Sequence, residues 1–74
     1  MRQFSYSFDG QEVSFEVLSA SEELLVTAKF PTPMAIRDLC EQEVNRLLLE
    51  AGLPELTNKE LVVCRNTVQV NNPE

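Results

Sequence analysis

The sequence predicts an α+β fold in the order β-β-(β)-α-β, with an antiparallel sheet and one long helix packed on one face. Three observations lead to this prediction. Apolar and polar residues alternate around an Asp-Gly turn in 2–17, apolar residues recur at helical spacing in 33–51, and an apolar run occupies 61–64. The 74 residues are expected to form a single small domain, 1–74, with a frayed tail at 71–74.

The first two strands are predicted to form an N-terminal hairpin. Asp9-Gly10 lies between residues 2–8 and 11–17 and suits a two-residue turn, in which both central residues have positive φ. Such a turn would place Phe4 directly opposite Phe15. One face of the hairpin is then aromatic and aliphatic, and the other carries serine, glutamine and glutamate.

A third strand is predicted from Leu24 to Phe30, where apolar residues occupy alternate positions. The competing interpretation of this segment is a short helix. It is suggested by Ser19 and Glu22, which have the spacing of a capping box.

The long helix is predicted to begin after Thr32 as N-cap, with Pro33 as its first residue. It should run to about Ala51 and end at Gly52 in the C′ position. One side of this helix is apolar, and we expect it to pack on the aromatic face of the hairpin. The residues on that side are Ile36, Cys40, Val44, Leu47, Leu48 and Ala51.

The last element, from Lys59 to Val70, is predicted to be a strand, because residues 61–64 read Leu-Val-Val-Cys and are apolar on both sides of an extended chain. One helix covers only one face of a sheet, so this strand would leave apolar surface for a second macromolecule to cover. The predicted partner interface combines residues of this strand with a leucine off the apolar side of the helix and two acidic residues of the polar face of the hairpin; it comprises Leu61, Val63, Leu49, Glu12 and Glu16.

Composition argues against catalysis, metal binding and cofactor binding. The chain has no histidine, and its only cysteines, Cys40 and Cys64, are far from the C-x-x-C spacing of a metal site. We expect two buried, reduced thiols whose pKa is raised by burial, and therefore inert cysteines. A disulfide between them is the alternative in an oxidising compartment, but residues 1–4 show no apolar signal core, so the expected location is cytoplasmic.

The net charge of −6 argues against direct binding to a nucleic-acid backbone, and no apolar run is long enough to cross a membrane. The sequence therefore favours a non-catalytic protein-interaction module, acting as an inhibitor, an antitoxin-like partner or a small regulatory subunit. Two alternatives remain open: a homodimeric structural or accessory protein, and an acidic mimic of nucleic acid that blocks a nucleic-acid-binding protein. The sequence does not identify the partner or the oligomeric state.

Overall fold

Three antiparallel strands are followed by two helices in the computed structural model, which describes residues 1–71. The elements are β1 (Gln3–Phe8), β2 (Val13–Leu18), β3 (Leu24–Phe30), α1 (Pro33–Glu50) and α2 (Asn58–Asn71). The α+β class, the antiparallel sheet and the long helix are confirmed. The predicted C-terminal strand is wrong, because this segment is α2. Asn71 of the predicted tail is the last residue of α2, and 72–74 lie outside the described residues.

The hairpin forms with a different turn from the predicted one. Four residues, 9–12, connect β1 to β2, and the Asp9 carboxylate accepts hydrogen bonds from the backbone N–H groups of Gln11 (2.8 Å) and Glu12 (2.7 Å). Phe4 consequently lies opposite Val17, two residues from the predicted register. A shift of two residues leaves every side chain on its predicted face.

The buried face of the sheet is the aromatic and aliphatic one, as predicted. Phe4 and Phe15 are diagonal neighbours across the strand pair, with ring centroids 5.7 Å apart and planes inclined by 22°. The sheet contributes Val13, Phe15, Val17, Ala28 and Phe30 to the core, and the helices and their connection contribute Ile36, Cys40, Val44, Leu48, Leu56, Cys64 and Val68. The opposite face of the sheet is polar and open.

The segment 24–30 is a strand, β3, which pairs with β2. The two residues that suggested a helix form the turn before it instead. Ser19 O accepts from the Glu22 backbone N–H at 2.9 Å, and Glu22 adopts a φ of 67°. The short-helix alternative for this segment is therefore wrong.

Helix α1 begins and ends where its sequence signals predict. Thr32 Oγ1 accepts from the Ala35 backbone N–H at 3.2 Å, and Pro33 is the first helical residue. At the other end, Gly52 has a φ of 76°, and Leu53 N–H donates to Leu48 O at 2.8 Å, as in a Schellman motif. The predicted apolar side is buried except for Ala51, which is exposed at the C-cap, and Leu47, which is half-buried.

Helix α2 begins with a capping box. The Glu60 backbone N–H donates to Thr57 Oγ1 at 3.2 Å, and the Thr57 backbone N–H donates to Glu60 Oε1 at 2.9 Å. The buried residues that follow recur every four positions at Glu60, Cys64 and Val68. In a helix, this spacing places all three residues on one buried side. In a strand, exposed residues between them would share the same face, so that face would not be buried as a whole.

Candidate functional site

The two helices lie side by side on the same face of the sheet. Helix α1 packs on β3 and β2, whereas α2 packs on β1 and on α1. They run in opposite directions, because α1 starts beside the Val13–Phe30 end of the sheet and α2 starts beside Arg2 at the other end. Asn45 of α1 fixes the chain before α2 by accepting the Leu56 backbone N–H at 2.9 Å through its Oδ1.

A groove of about 660 Å³ opens between the N-terminal half of α1 and the C-terminal half of α2. The side chains at its base belong to the core, and those at its rim are charged or carry amides. Its lining residues are Ile36, Arg37, Asp38, Cys40, Glu41, Gln42, Cys64, Arg65, Val68 and Gln69. We call this feature the interhelical groove.

A second, shallower depression lies on the outer surface of α1. It measures about 180 Å³ and is lined by Leu39, Gln42, Glu43 and Arg46. Gln42 lines both depressions, so they adjoin at this residue. Leu39 is an exposed apolar side chain of the second depression.

One ion pair joins the two helices at the rim of the groove. Arg65 of α2 donates through Nε and Nη2 to the Glu41 carboxylate of α1, with an Nη2–Oε2 distance of 3.2 Å. This hydrogen bonding lowers the pKa of Glu41 and raises the pKa of Arg65. Arg37 and Asp38, on the same rim, form no ion pair with any residue in 1–71. Their charges are therefore available to a ligand.

The two cysteines meet at the base of the groove, with Sγ atoms 3.6 Å apart. Both are free and buried, in agreement with the predicted reduced thiols. Hydrogen bonding within the pair and burial raise the pKa of Cys40. A hydrogen bond from the Cys40 thiol lowers the pKa of Cys64, whereas burial raises it, so burial acts on both thiols in the predicted direction.

The structure separates the five residues of the predicted partner interface. Leu61 and Val63 are half-buried on α2, and Leu61 packs against the core. Leu49 is exposed on α1, with 57% of its surface accessible. Glu12 and Glu16 belong to the open side of the sheet, where Glu12 lies 3.5 Å from Lys29 Nζ. The doubly apolar strand on which this interface was predicted does not exist in residues 1–71.

The interhelical groove was not predicted, because it requires α2. Two sequence signals indicate a second helix: the Thr57-x-x-Glu60 capping-box spacing, and the four-residue spacing of the apolar residues Cys64 and Val68. Together they would place Cys64 on the buried side of that helix.

The described residues, 1–71, contain neither a metal-ligand cluster nor a membrane-spanning helix. Within residues 1–71, no group of three or more cysteine, aspartate and glutamate side chains is arranged to hold a metal ion. Nor does either helix in that range have the length and apolar character needed to cross a bilayer.

Comparisons of the chain with protein-family models, curated proteins and solved structures found no match.

Proposed function

We propose that this chain is a non-catalytic protein-interaction module that binds a segment of a partner polypeptide in the interhelical groove. The observation that supports the proposal is the interhelical groove. It measures about 660 Å³, runs between two antiparallel helices, and has core side chains at its base and charged and amide side chains at its rim. A segment of polypeptide fits a groove of this form.

The chemistry of the groove also matches a polypeptide. Gln42 and Gln69 present carboxamides at the rim, and each carboxamide can donate to a peptide carbonyl and accept from a peptide N–H. The base is apolar and suits an inserted apolar side chain. Arg37 and Asp38 offer one charge of each sign to the flanking residues of the segment.

A module of this kind would act on its partner as an inhibitor, an antitoxin-like partner or a small regulatory subunit. The charge distribution favours this role over mimicry of nucleic acid. The carboxylates without a basic partner in residues 1–71 are scattered over the two turns of the sheet, β2, α1 and the connection before α2; they are Asp9, Glu16, Glu22, Glu23, Asp38 and Glu55. Such a distribution does not form the regular array that mimicry requires.

A matched pair of variants tests the proposal. Gln42→Trp places a bulky ring where the two depressions adjoin, and Asn66→Trp places the same ring on an exposed α2 position outside the groove. Proteins captured by the wild type and by Asn66→Trp, but not by Gln42→Trp, are candidate partners. Titration calorimetry with overlapping peptides of such a protein should then give binding that Gln42→Trp weakens at least tenfold.

Two outcomes would contradict the proposal. One is a partner whose affinity is the same for the wild type and for Gln42→Trp, since that partner binds elsewhere. The other is self-association as the only interaction, measured by analytical ultracentrifugation over a range of concentrations. That result would support the homodimer instead.

A further inference from the structure

We propose that hydrogen peroxide oxidises Cys40 and Cys64 to a reversible intramolecular disulfide. This bond links α1 covalently to α2 at the base of the interhelical groove. The inference concerns the two thiols alone and does not depend on what the groove binds. It begins from their contact, in which the Sγ atoms are 3.6 Å apart on two different helices.

The distance places the thiols close to bonding geometry. A disulfide has an S–S length of about 2.05 Å, so the sulfur atoms must approach by roughly 1.5 Å. Rotation about the Cα–Cβ bonds, with a small adjustment of the helices, can supply a movement of this size. Cys64 lies in the middle of α2, whose C-terminal half is joined to α1 at the rim of the groove by the exposed Arg65–Glu41 pair and can adjust more easily than the N-terminal end of α2.

The groove supplies the route for the oxidant. Cys40 and Cys64 both line the interhelical groove, where 5% of the Cys40 surface and none of the Cys64 surface is accessible. Hydrogen peroxide is close in size to water, so a small widening of the groove is enough to admit it. The two cysteines are also the only ones in the chain, so no third thiol competes for the bond.

The reaction proceeds in two balanced steps. One of the two sulfurs, as its thiolate, attacks one oxygen of hydrogen peroxide, the O–O bond breaks, and the leaving hydroxide takes up a proton to become water. That cysteine is then a sulfenic acid. The sulfur of the other cysteine attacks the sulfenic acid sulfur, the S–O bond breaks, and the hydroxide leaves with the thiol proton as a second water. The two thiols lose two electrons, and the peroxide gains them.

Either cysteine can be the attacking sulfur, because either thiol can donate the hydrogen bond that joins the two sulfurs. Whichever sulfur is oxidised first, the other lies 3.6 Å away and resolves the sulfenic acid to the same Cys40–Cys64 disulfide.

The test uses the full-length, reduced protein treated with one to a few equivalents of hydrogen peroxide. We expect the intact mass to fall by two hydrogens, both thiols to disappear from a thiol assay in denaturant, and peptide mapping to link Cys40 to Cys64. Dithiothreitol should restore both thiols. The oxidised chain should remain folded by circular dichroism and migrate as a single chain on a non-reducing gel.

Serine variants isolate the first step of the reaction. Cys40→Ser and Cys64→Ser each leave one thiol that has no partner for a disulfide, so its sulfenic acid should persist and be trapped by dimedone. Disulfide-linked dimers, sulfinic acid as the first stable product, or bond formation only in urea would each overturn the proposal. Wild-type mass and mapping data decide the question even if a serine variant does not fold.

Discussion

Replacing Glu60 with glutamine should destabilise the protein more than any surface charge substitution. Glu60 is the buried charged residue of the core region, with 4% of its surface accessible. Its carboxylate accepts four hydrogen bonds, from Arg2 N (3.0 Å), Nε (2.9 Å) and Nη2 (2.8 Å), and from Thr57 N (2.9 Å). Arg2 also donates to the backbone carbonyls of Pro54 and Glu55, so one side chain joins the start of β1 to the start of α2.

The size of the effect follows from this burial. Removing one partner of a buried charge pair costs about 3–5 kcal/mol, because the other charge is left without compensation. Glutamine retains one oxygen acceptor, and the Arg2 side chain is 14% exposed and can form hydrogen bonds with water. We therefore expect a loss of stability at the lower end of this range, about 3 kcal/mol. A chain of this length has a total stability of about 4–11 kcal/mol, so this loss is a large share of the whole.

The loss should depend on pH in a defined direction. Hydrogen bonds from Arg2 hold the pKa of Glu60 far below its usual range in the folded protein. A carboxyl with a lowered folded-state pKa contributes its full stabilisation above the unfolded-state pKa, about 4.3, and loses it as the pH falls toward the folded-state pKa. The difference in stability between wild type and Glu60→Gln should therefore be constant above about pH 5.5 and shrink below pH 4.

Urea unfolding of both proteins between pH 3 and 7, followed by circular dichroism, measures this difference. Comparing the two proteins at each pH removes the contribution of Asp9, whose pKa is also lowered, by hydrogen bonds from the backbone of Glu12 and Gln11. Glu43→Gln is the control, because its ion pair with Arg46 is solvent-exposed and should contribute no more than about 0.5 kcal/mol. A loss below about 1 kcal/mol, or a difference that does not change with pH, would refute the argument.

Three further perturbations have defined outcomes. Gly52→Ala should cost about 1 kcal/mol in urea unfolding, because the φ of 76° disfavours a side chain although no atom lies within 4 Å of the added Cβ; no loss would mean that the helix ends differently. Leu48→Ala should cost about 2–5 kcal/mol and Leu49→Ala less than about 0.5 kcal/mol, since the first is buried and the second exposed; equal losses would contradict the packing of α1. Oxidation to a Cys40–Cys64 disulfide should raise stability by about 3.5 kcal/mol from loop-closure entropy, measured as a higher Tm without reductant; an unchanged or lower Tm would show that the bond strains the fold.

The sheet and α1 could be predicted because their signals are local. Thr32, Pro33 and Gly52 set the ends of α1 through their own backbone chemistry, which operates within four residues. The alternation of apolar and polar residues was enough to predict the strand faces. It did not predict the hairpin register, because the Asp9 carboxylate accepts hydrogen bonds from the N–H groups of Gln11 and Glu12 and so forms a longer turn than Asp-Gly requires.

Helix α2 was predicted wrongly because its buried side contains a charge. The run at 61–64 is rich in β-branched residues and favours a strand, and Glu60 interrupts the apolar pattern that would have indicated a helix. Glu60 can be buried only because Arg2, 58 positions earlier in the chain, lies against it. A sequence window around α2 does not contain Arg2. The local pattern therefore predicts that Glu60 is exposed.

The same long-range pair determines where the groove opens. The Arg2–Glu60 contact fixes the N-terminal end of α2 against β1, and Asn45 fixes the connection before it against α1. The C-terminal half of α2 has no buried ion pair within residues 1–71; there it contacts α1 through the exposed pair Arg65–Glu41 and through the buried Cys40 and Cys64 thiols. The helices are therefore held firmly at one end and weakly at the other, and small cysteine side chains at their contact leave space between them. Glu60→Gln should therefore alter the shape of the groove, because it weakens the contact that fixes the N-terminal end of α2. Glu41→Gln should open the groove with little loss of stability, because the Arg65–Glu41 pair is exposed.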